Sequence, residues 1–414
     1  MTDADPSEPS DPGDILHVLS EAHSVGGHTR LAWRWMRAHR GVRHSVALTT
    51  SRGRVPDALI EAVRASGGTI HRLAESGSSL LDVARKLRAL ALSAGLVVLH
   101  IHPYDATAVL ALSNRTRGPK TIFVNHADHV FWVGVGAADV VANVRPVGES
   151  LCVERRGIEP SRMALLPVPI DAPDRKLDRA EAKRELGLAH DAPLFLTVAN
   201  AYKLEPLDGL GYLDLLPTIM ARVPRAELVV VGADENERWK NASGRAGGRI
   251  RAVGFREDLQ RFQAAADVYV DSYPVSSLTS FLESARFGMP VVRAQLGPRE
   301  TNIFDVDDHF LDPHVLVGRS VDELVAILNA LVDDPSACVR RGEMSARAII
   351  DGHGPEAWSR QLELVIARAA EVGPAEIAPI WRRPNIDALD EHILMLHAGT
   401  DMSQSLETLR IFHR

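Results

Sequence analysis

The chemistry-bearing residues of this chain fall into two groups. The first lies in VSSLTSFLESARFGMP, where Ser276, Ser277 and Thr279 lead into a helical pattern and Glu283 follows Thr279 by four positions, on the same helix face. Hydroxyls and free N–H groups at a helix start hold phosphate oxygens, because both the unpaired amides and the helix dipole favour anions. Here those amides are the ones around Ser277, Leu278 and Thr279. Glu283, one turn deeper, suits two sugar hydroxyls, although an exposed helical glutamate looks the same in sequence. Asn200 and Lys203 directly follow an apolar run, LFLTVA, and an ammonium there can neutralise a diphosphate as a point charge or sit in a solvated loop. Gly254 and Phe255 end another apolar run in a place suited to holding a nucleotide base by stacking and backbone hydrogen bonds.

The second group is NHADHVFW, Asn125 to Trp132, the densest polar and aromatic cluster of the first half. His126 beside Asp128 reads as an oriented proton acceptor or hydrogen-bond donor. His126, Asp128 and His129 lack the spacing of a zinc site, so no metal is expected. Phe131 and Trp132 fit either an acceptor pocket or core packing. Upstream, Gly26 and Gly27 in SEAHSVGGHTR allow close backbone approach, cradling a substrate or making a tight turn, with His28 and Arg30 in reach of such a substrate or simply at the surface. There is no GxGxxG. His100 and His102 end a further buried run, where each suits either a site or packing.

The elements that must place these groups alternate strand with helix. Expected strands are 15–19, 45–49, 69–72, 96–101, 121–124, 138–143 and 163–166 in the first half, and 194–199, 226–231, 249–253, the run through Val268 and Val270, that from Val291, and 315–317 in the second. Helices are expected through Trp33 and Met36 and at 57–65, 80–93, 105–113, from about Val147, and at 176–186, 208–221, 259–265, about 276–287, 321–331, 346–370 and 386–398. The fold class is therefore α/β, with two Rossmann-like domains facing each other across a cleft. The expected division is a loose acidic tail at 1–13, an acceptor-side domain at 14–173, a nucleotide-sugar domain at 174–372, and a linker with a helical extension at 373–414. Arg293, Arg299 and Asn302 are expected on the cleft rim.

With 414 residues the chain has room for two cores. Its 45% hydrophobic and 24% charged residues are those of a globular protein. A formal charge of −7 argues against general attraction to nucleic acid or membrane surfaces, and no apolar run reaches spanning length. Cys152 and Cys338, far apart and without metal-ligand spacing, read as reduced structural thiols in a cytoplasmic protein.

Two such halves resemble the GT-B glycosyltransferases, and ADVYVDSYPVSSLTSFLESARFGMPVV looks like their signature strand, bend, helix and glycine–proline stop. LFLTVANAYKLEP resembles the opening of their nucleotide-sugar domain, and ELVVVGADE with IRAVGFREDLQRFQAAADVYV the strands between. The resemblance implies that Lys203 contacts a donor diphosphate, that Thr279 and its neighbours receive phosphate, and that Glu283 holds the ribose. It makes His126 the acceptor-side histidine and Gly26 and Gly27 the first-loop glycines. Glycosyltransferase family 4 has a glutamate eight residues before Glu283, where this chain has Val275, and an arginine–lysine pair where it has Asn200 with Lys203. The asparagine–lysine pair and the hydroxyl-rich helix start look more like the inverting O-linked N-acetylglucosamine transferases. The implied reaction is metal-independent transfer from a UDP-, GDP- or dTDP-sugar to a hydroxyl or similar group on a small molecule, glycan or protein, with no cofactor. A catalytically silent module in a complex, or a sugar-nucleotide epimerase or phosphorylase, remain alternatives.

Overall fold

The computed structural model describes residues 13–23, 27–50, 53–114, 118–128, 130, 132–171, 177–206, 210–296 and 307–373. The expectations for the tail, Gly26, His129, Phe131, Arg299, Asn302 and the helix at 386–398 fall outside those residues.

The chain divides into two compact units, the first comprising residues 13–169 and 355–373 of the described chain and the second residues 170–354. The first unit runs β1 (Ile15–Leu19), α1 (Gly27–Ala38), β2 (His44–Leu48), α2 (Asp57–Ala65), β3 (Ile70–Arg72), α3 (Leu80–Leu92), β4 (Leu96–His100), α4 (Ala106–Leu112), β5 (Lys120–Asn125), β6 (Val140–Asn143), α5 (Pro146–Arg156) and β7 (Met163–Leu165). Its strands form one parallel sheet in the order β3-β2-β1-β4-β5-β6-β7. A parallel sheet covered by helices on both faces must be apolar on both, which explains the continuous aliphatic runs. Leu16 and Val18 enter a core with Val83 and Leu87 of α3, while Leu19 enters another with Ala32 of α1 and Leu59 of α2.

The second unit runs α6 (Arg179–Glu185), β8 (Leu194–Val198), α7 (Tyr212–Ala221), β9 (Glu227–Val231), α8 (Glu237–Arg245), β10 (Ile250–Ala252), α9 (Leu259–Ala265), β11 (Val268–Val270), α10 (Leu278–Arg286), β12 (Val291–Ala294), β13 (Leu316–Gly318), α11 (Val321–Asp333) and α12 (Pro335–His353). Its parallel sheet has the order β10-β9-β8-β11-β12-β13. The last described helix, α13 (Pro355–Glu371), packs on β5, β6 and β7, so the chain returns to the first unit at residue 355. The sequence reading placed that helix in the second domain. What ties it to the first is Trp358, fully buried, whose Nε1 donates to the Pro167 carbonyl at 2.6 Å.

Both sheets reverse strand order once, between β1 and β4 and between β8 and β11. At such a switch point the two connections leave in opposite directions and open a crevice at the carboxyl ends of the strands, where α/β folds bind ligands.

The helix α12 starts eleven residues before the expected 346, because the buried positions of its first half are only Cys338, Gly342 and Ser345, and a large apolar residue, Ile349, enters the core only in its second half. Gly342 lies against α10's end so closely that a Cβ on it would stand 1.9 Å from the Gly288 carbonyl oxygen. Gly342→Ala therefore forces α12 away from the backbone. It is expected to cost about 1–3 kcal/mol, read as a fall of several degrees in thermal unfolding.

Candidate functional site

In the second unit the crevice residues come from the loops after β8 and β11. β8 is buried throughout, and the chain leaves it at Asn200, which is exposed, through a short turn at Ala201–Leu204. That turn brings Lys203 across the switch point: its Nζ donates to the Ser276 carbonyl at 2.7 Å, and the Val275 N–H donates to the Lys203 carbonyl at 3.4 Å. Ser276 stands two residues before α10. The lysine and the serine-rich helix start, 73 residues apart in sequence, are thus neighbours.

The loop 271–277 is internally tied. The Ser272 hydroxyl donates to the Val275 carbonyl at 2.7 Å and lies 3.1 Å from the Ser277 hydroxyl. The Asp271 carboxylate accepts from the N–H groups of Ser272 at 2.9 Å and Ser277 at 3.3 Å. Asp271 is buried, and burial pushes its carboxyl up to about 6, against the pull of the neighbouring donors and of Lys203. Ser277 occupies the N-cap of α10 without making a side-chain capping bond. Thr279 and Glu283 follow on the half-buried side of the helix, while Phe281, Leu282 and Ala285 anchor its other side in the core. Each such large side chain contributes roughly 1.5–3 kcal/mol of burial, so the helix start is held rigidly.

At the next strand ends, Gly254 adopts φ +69, donates from its N–H to the Ala233 carbonyl and leaves only 2.7 Å between a Cβ and Asp234 Oδ1. Phe255 beside it is 59% exposed, so its ring offers a stacking face to solvent rather than a core contact. Leu278 is half-buried at the first position of α10.

In the first unit the carboxyl edge gathers imidazoles. His28, near the start of α1 that Gly27 begins, stacks on His126 after β5, with ring centroids 5.3 Å apart, and meets His102 after β4 edge-on at the same separation. Burial, followed by the neighbouring His126 and His102, holds His28 well below the usual imidazole range. His126 Nδ1 lies 3.2 Å from the Val124 carbonyl. A carbonyl only accepts, so Nδ1 carries the hydrogen and Nε2 carries the lone pair.

Asp128 has a partner that the sequence did not suggest: Arg145 Nε and an Arg145 terminal nitrogen donate to its two oxygens at 2.6 and 2.8 Å, in a pair that is nearly solvent-free. The 125–132 loop is further held by Arg156, which donates to the carbonyls of Asp128 and Val130 and lies over the Trp132 ring. Trp132 is buried and stacks on Phe123 at 3.9 Å, so it belongs to the core. His100 is likewise buried; His102 Nδ1 meets the Tyr104 hydroxyl at 2.9 Å.

Sequence reasoning missed Asp271, and of a row of interior histidines it singled out His100 but neither His17 nor His44. His44 Nε2 donates to the His39 carbonyl at 2.9 Å, which fixes the direction of the row: His17 Nε2 donates to His44 Nδ1, and His100 Nε2 to His17 Nδ1, at 3.0 Å each. Burial lowers all three, so the row is neutral near pH 7. Histidines in strands that otherwise read as pure core were the available signal. Among the described residues no group of three or more His, Cys, Asp or Glu is arranged to hold a metal ion, and no helix is long and apolar enough to cross a membrane.

Residues 192–334 match the family model described as Glycosyl transferases group 1. Among curated proteins no sequence matches. Solved structures with similar folds include a glycosyltransferase from Rickettsia africae ESF-5, at 10% identity, TM-score 0.64 and coverage of 86% of this chain and 99% of that one. HepE of Anabaena, solved with UDP and glucose, is 15% identical at TM-score 0.64, with the same two coverages. An O-GlcNAc transferase mutant of Thermobaculum terrenum is 20% identical at TM-score 0.62, covering 89% of this chain and 69% of that one. The chain thus has two Rossmann-like α/β domains of the GT-B kind, and the segment similar to the group 1 glycosyl transferases is the one carrying Asn200, Lys203, Thr279 and Glu283.

Proposed function

We propose that this protein is a glycosyltransferase that moves a sugar from a nucleoside diphosphate sugar to an acceptor hydroxyl or similar nucleophile without a metal ion. The observation that carries the reading is Lys203 Nζ seated 2.7 Å from the Ser276 carbonyl, beside an uncapped helix start at the switch point of the second sheet. In the reaction the bond from the anomeric carbon to the diphosphate oxygen breaks, and negative charge develops on the leaving group. Lys203 and the N–H groups of Leu278 and Thr279 at the helix start meet that charge, which takes the part a divalent cation plays elsewhere. Glu283 is assigned to the ribose hydroxyls, and Phe255 with Gly254 and Asn200 to the rest of the nucleotide. From the first unit we assign His126, whose Nε2 lone pair suits the acceptor proton if the reaction inverts.

The test is incubation with UDP-, GDP- and dTDP-sugars, reading slow release of free nucleoside diphosphate. Release with one of them supports transfer; tight binding of a sugar nucleotide with no turnover would instead favour a silent module. Glu283→Ala then separates binding from chemistry. Loss of hydrogen bonds to a charged group, about 1.5–3 kcal/mol, should raise the donor KM roughly ten- to a hundredfold with kcat little changed. An unchanged KM removes Glu283 from the ribose.

A further inference from the structure

Asp271 is an acid buried at the very place where the donor's phosphates are assigned. It is 3% exposed and follows β11 directly, and by bridging the N–H groups of Ser272 and Ser277 it folds the intervening loop back onto the strand end. The charged and titratable groups around it are Lys203 from the loop after β8, Tyr212 from α7 and Tyr269 from β11, with Glu283 of α10 acting on Tyr269. Burial holds both phenols neutral; the carboxylate is steadied first by the Ser276 side chain and the Ser277 and Ser272 N–H groups, and after them by Lys203, the one cation among these groups.

A diphosphate arriving at the start of α10 changes that balance twice. It brings like charge towards Asp271, and it draws the Lys203 ammonium to itself. A protonated Asp271 still has a carbonyl oxygen for the Ser272 and Ser277 N–H groups, so the loop keeps its shape when the charge is gone. We infer that Asp271 is a positioning residue that takes up a proton from solvent when a nucleoside diphosphate sugar binds, so that the loop stays folded without a buried anion opposing the ligand. No bond of the ligand changes in this step; one proton moves from water to an Asp271 oxygen. The inference rests on the donor site proposed above.

The sign follows from linkage. The ligand prefers the protonated form, so affinity is full below the free-site midpoint, near 6, and weakens as pH rises through it, by at most about tenfold per pH unit. Calorimetry with UDP-glucose, GDP-mannose and dTDP-glucose tests this, since their diphosphate diesters do not titrate near neutrality. In buffers of different ionisation enthalpy at about pH 7, uptake of roughly half a proton per bound donor is expected, and Asp271→Asn should abolish it. No uptake, proton release, or equal uptake by Asp271→Asn overturns the inference while leaving the donor site standing. If none of the three sugars binds, the donor site itself fails. Should Asp271→Asn not fold, the wild-type Kd from about pH 5.5 to 8 decides, and a flat profile overturns the proposal.

Discussion

Replacing Lys203 with alanine is expected to lower kcat/KM for the productive nucleotide sugar by about a hundred- to a thousandfold, with thermal unfolding nearly unchanged. The magnitude is that of removing one preorganised donor from a developing anion in a water-poor site, roughly 3–4 kcal/mol. The fold should tolerate the change because Lys203 is only half-buried and its turn is held by backbone bonds, Lys203 N–H to the Asn200 carbonyl at 3.0 Å and the Lys203 carbonyl to the Val275 N–H. Most of the loss should fall on kcat, since charge on the leaving oxygen grows as the bond breaks. Lys203→Arg keeps the charge but spreads it over a planar fork too large for the same seat, so it should restore only part of the rate. Wild-type turnover in Lys203→Ala would end the diphosphate assignment.

How the sequence conveyed this arrangement depends on what kind of signal each part left. Strands buried on both faces write themselves as aliphatic runs, which is why β8, β9 and β11 were legible with the loops at their ends. Lys203 could be placed after β8 and Thr279 after β11, and strand order then made them neighbours. Helices packed through small residues leave no such trace: α12 buries Gly342, Ser345 and Gly352, and its first half does not read as amphipathic. The helix α8 was overlooked for the opposite reason. Its mostly polar sequence hides a single buried edge of Trp239 and Ala242, although Asn236 accepting from the N–H groups of Arg238 and Trp239 is a readable start signal. Partners in polar pairs were the least legible. Asp128 stood two residues from His126 in sequence, and proximity suggested a dyad. The fold gave the carboxylate to Arg145, 17 residues on, and gave the imidazole a backbone carbonyl.

That exchange of partners makes Asp128→Ala the variant with the largest expected effect on stability. Arg145 and Asp128 are 7% and 3% exposed in their side chains, so removing the carboxylate takes away the two oxygens to which the guanidinium donates, in a site that water hardly enters. Breaking one side of such a pair costs about 3–5 kcal/mol, large against the net stability of a domain. The first unit should therefore melt well below the wild-type temperature. Asp128→Ala with Arg145→Ala should recover part of the loss, because the buried guanidinium is gone even though the packing is not restored. A catalytic dyad makes the contrary forecast: kcat would fall in the single variant at unchanged melting temperature, and the double variant would be no more stable than the single. Measuring unfolding and turnover on the same samples separates the two. The structure favours the first outcome, because both Asp128 oxygens accept from Arg145 while Arg156 locks the adjoining carbonyls. On that account His126 keeps its orientation through the Val124 carbonyl as long as the loop is folded, and any activity lost on replacing Asp128 should return under conditions that restabilise the first unit.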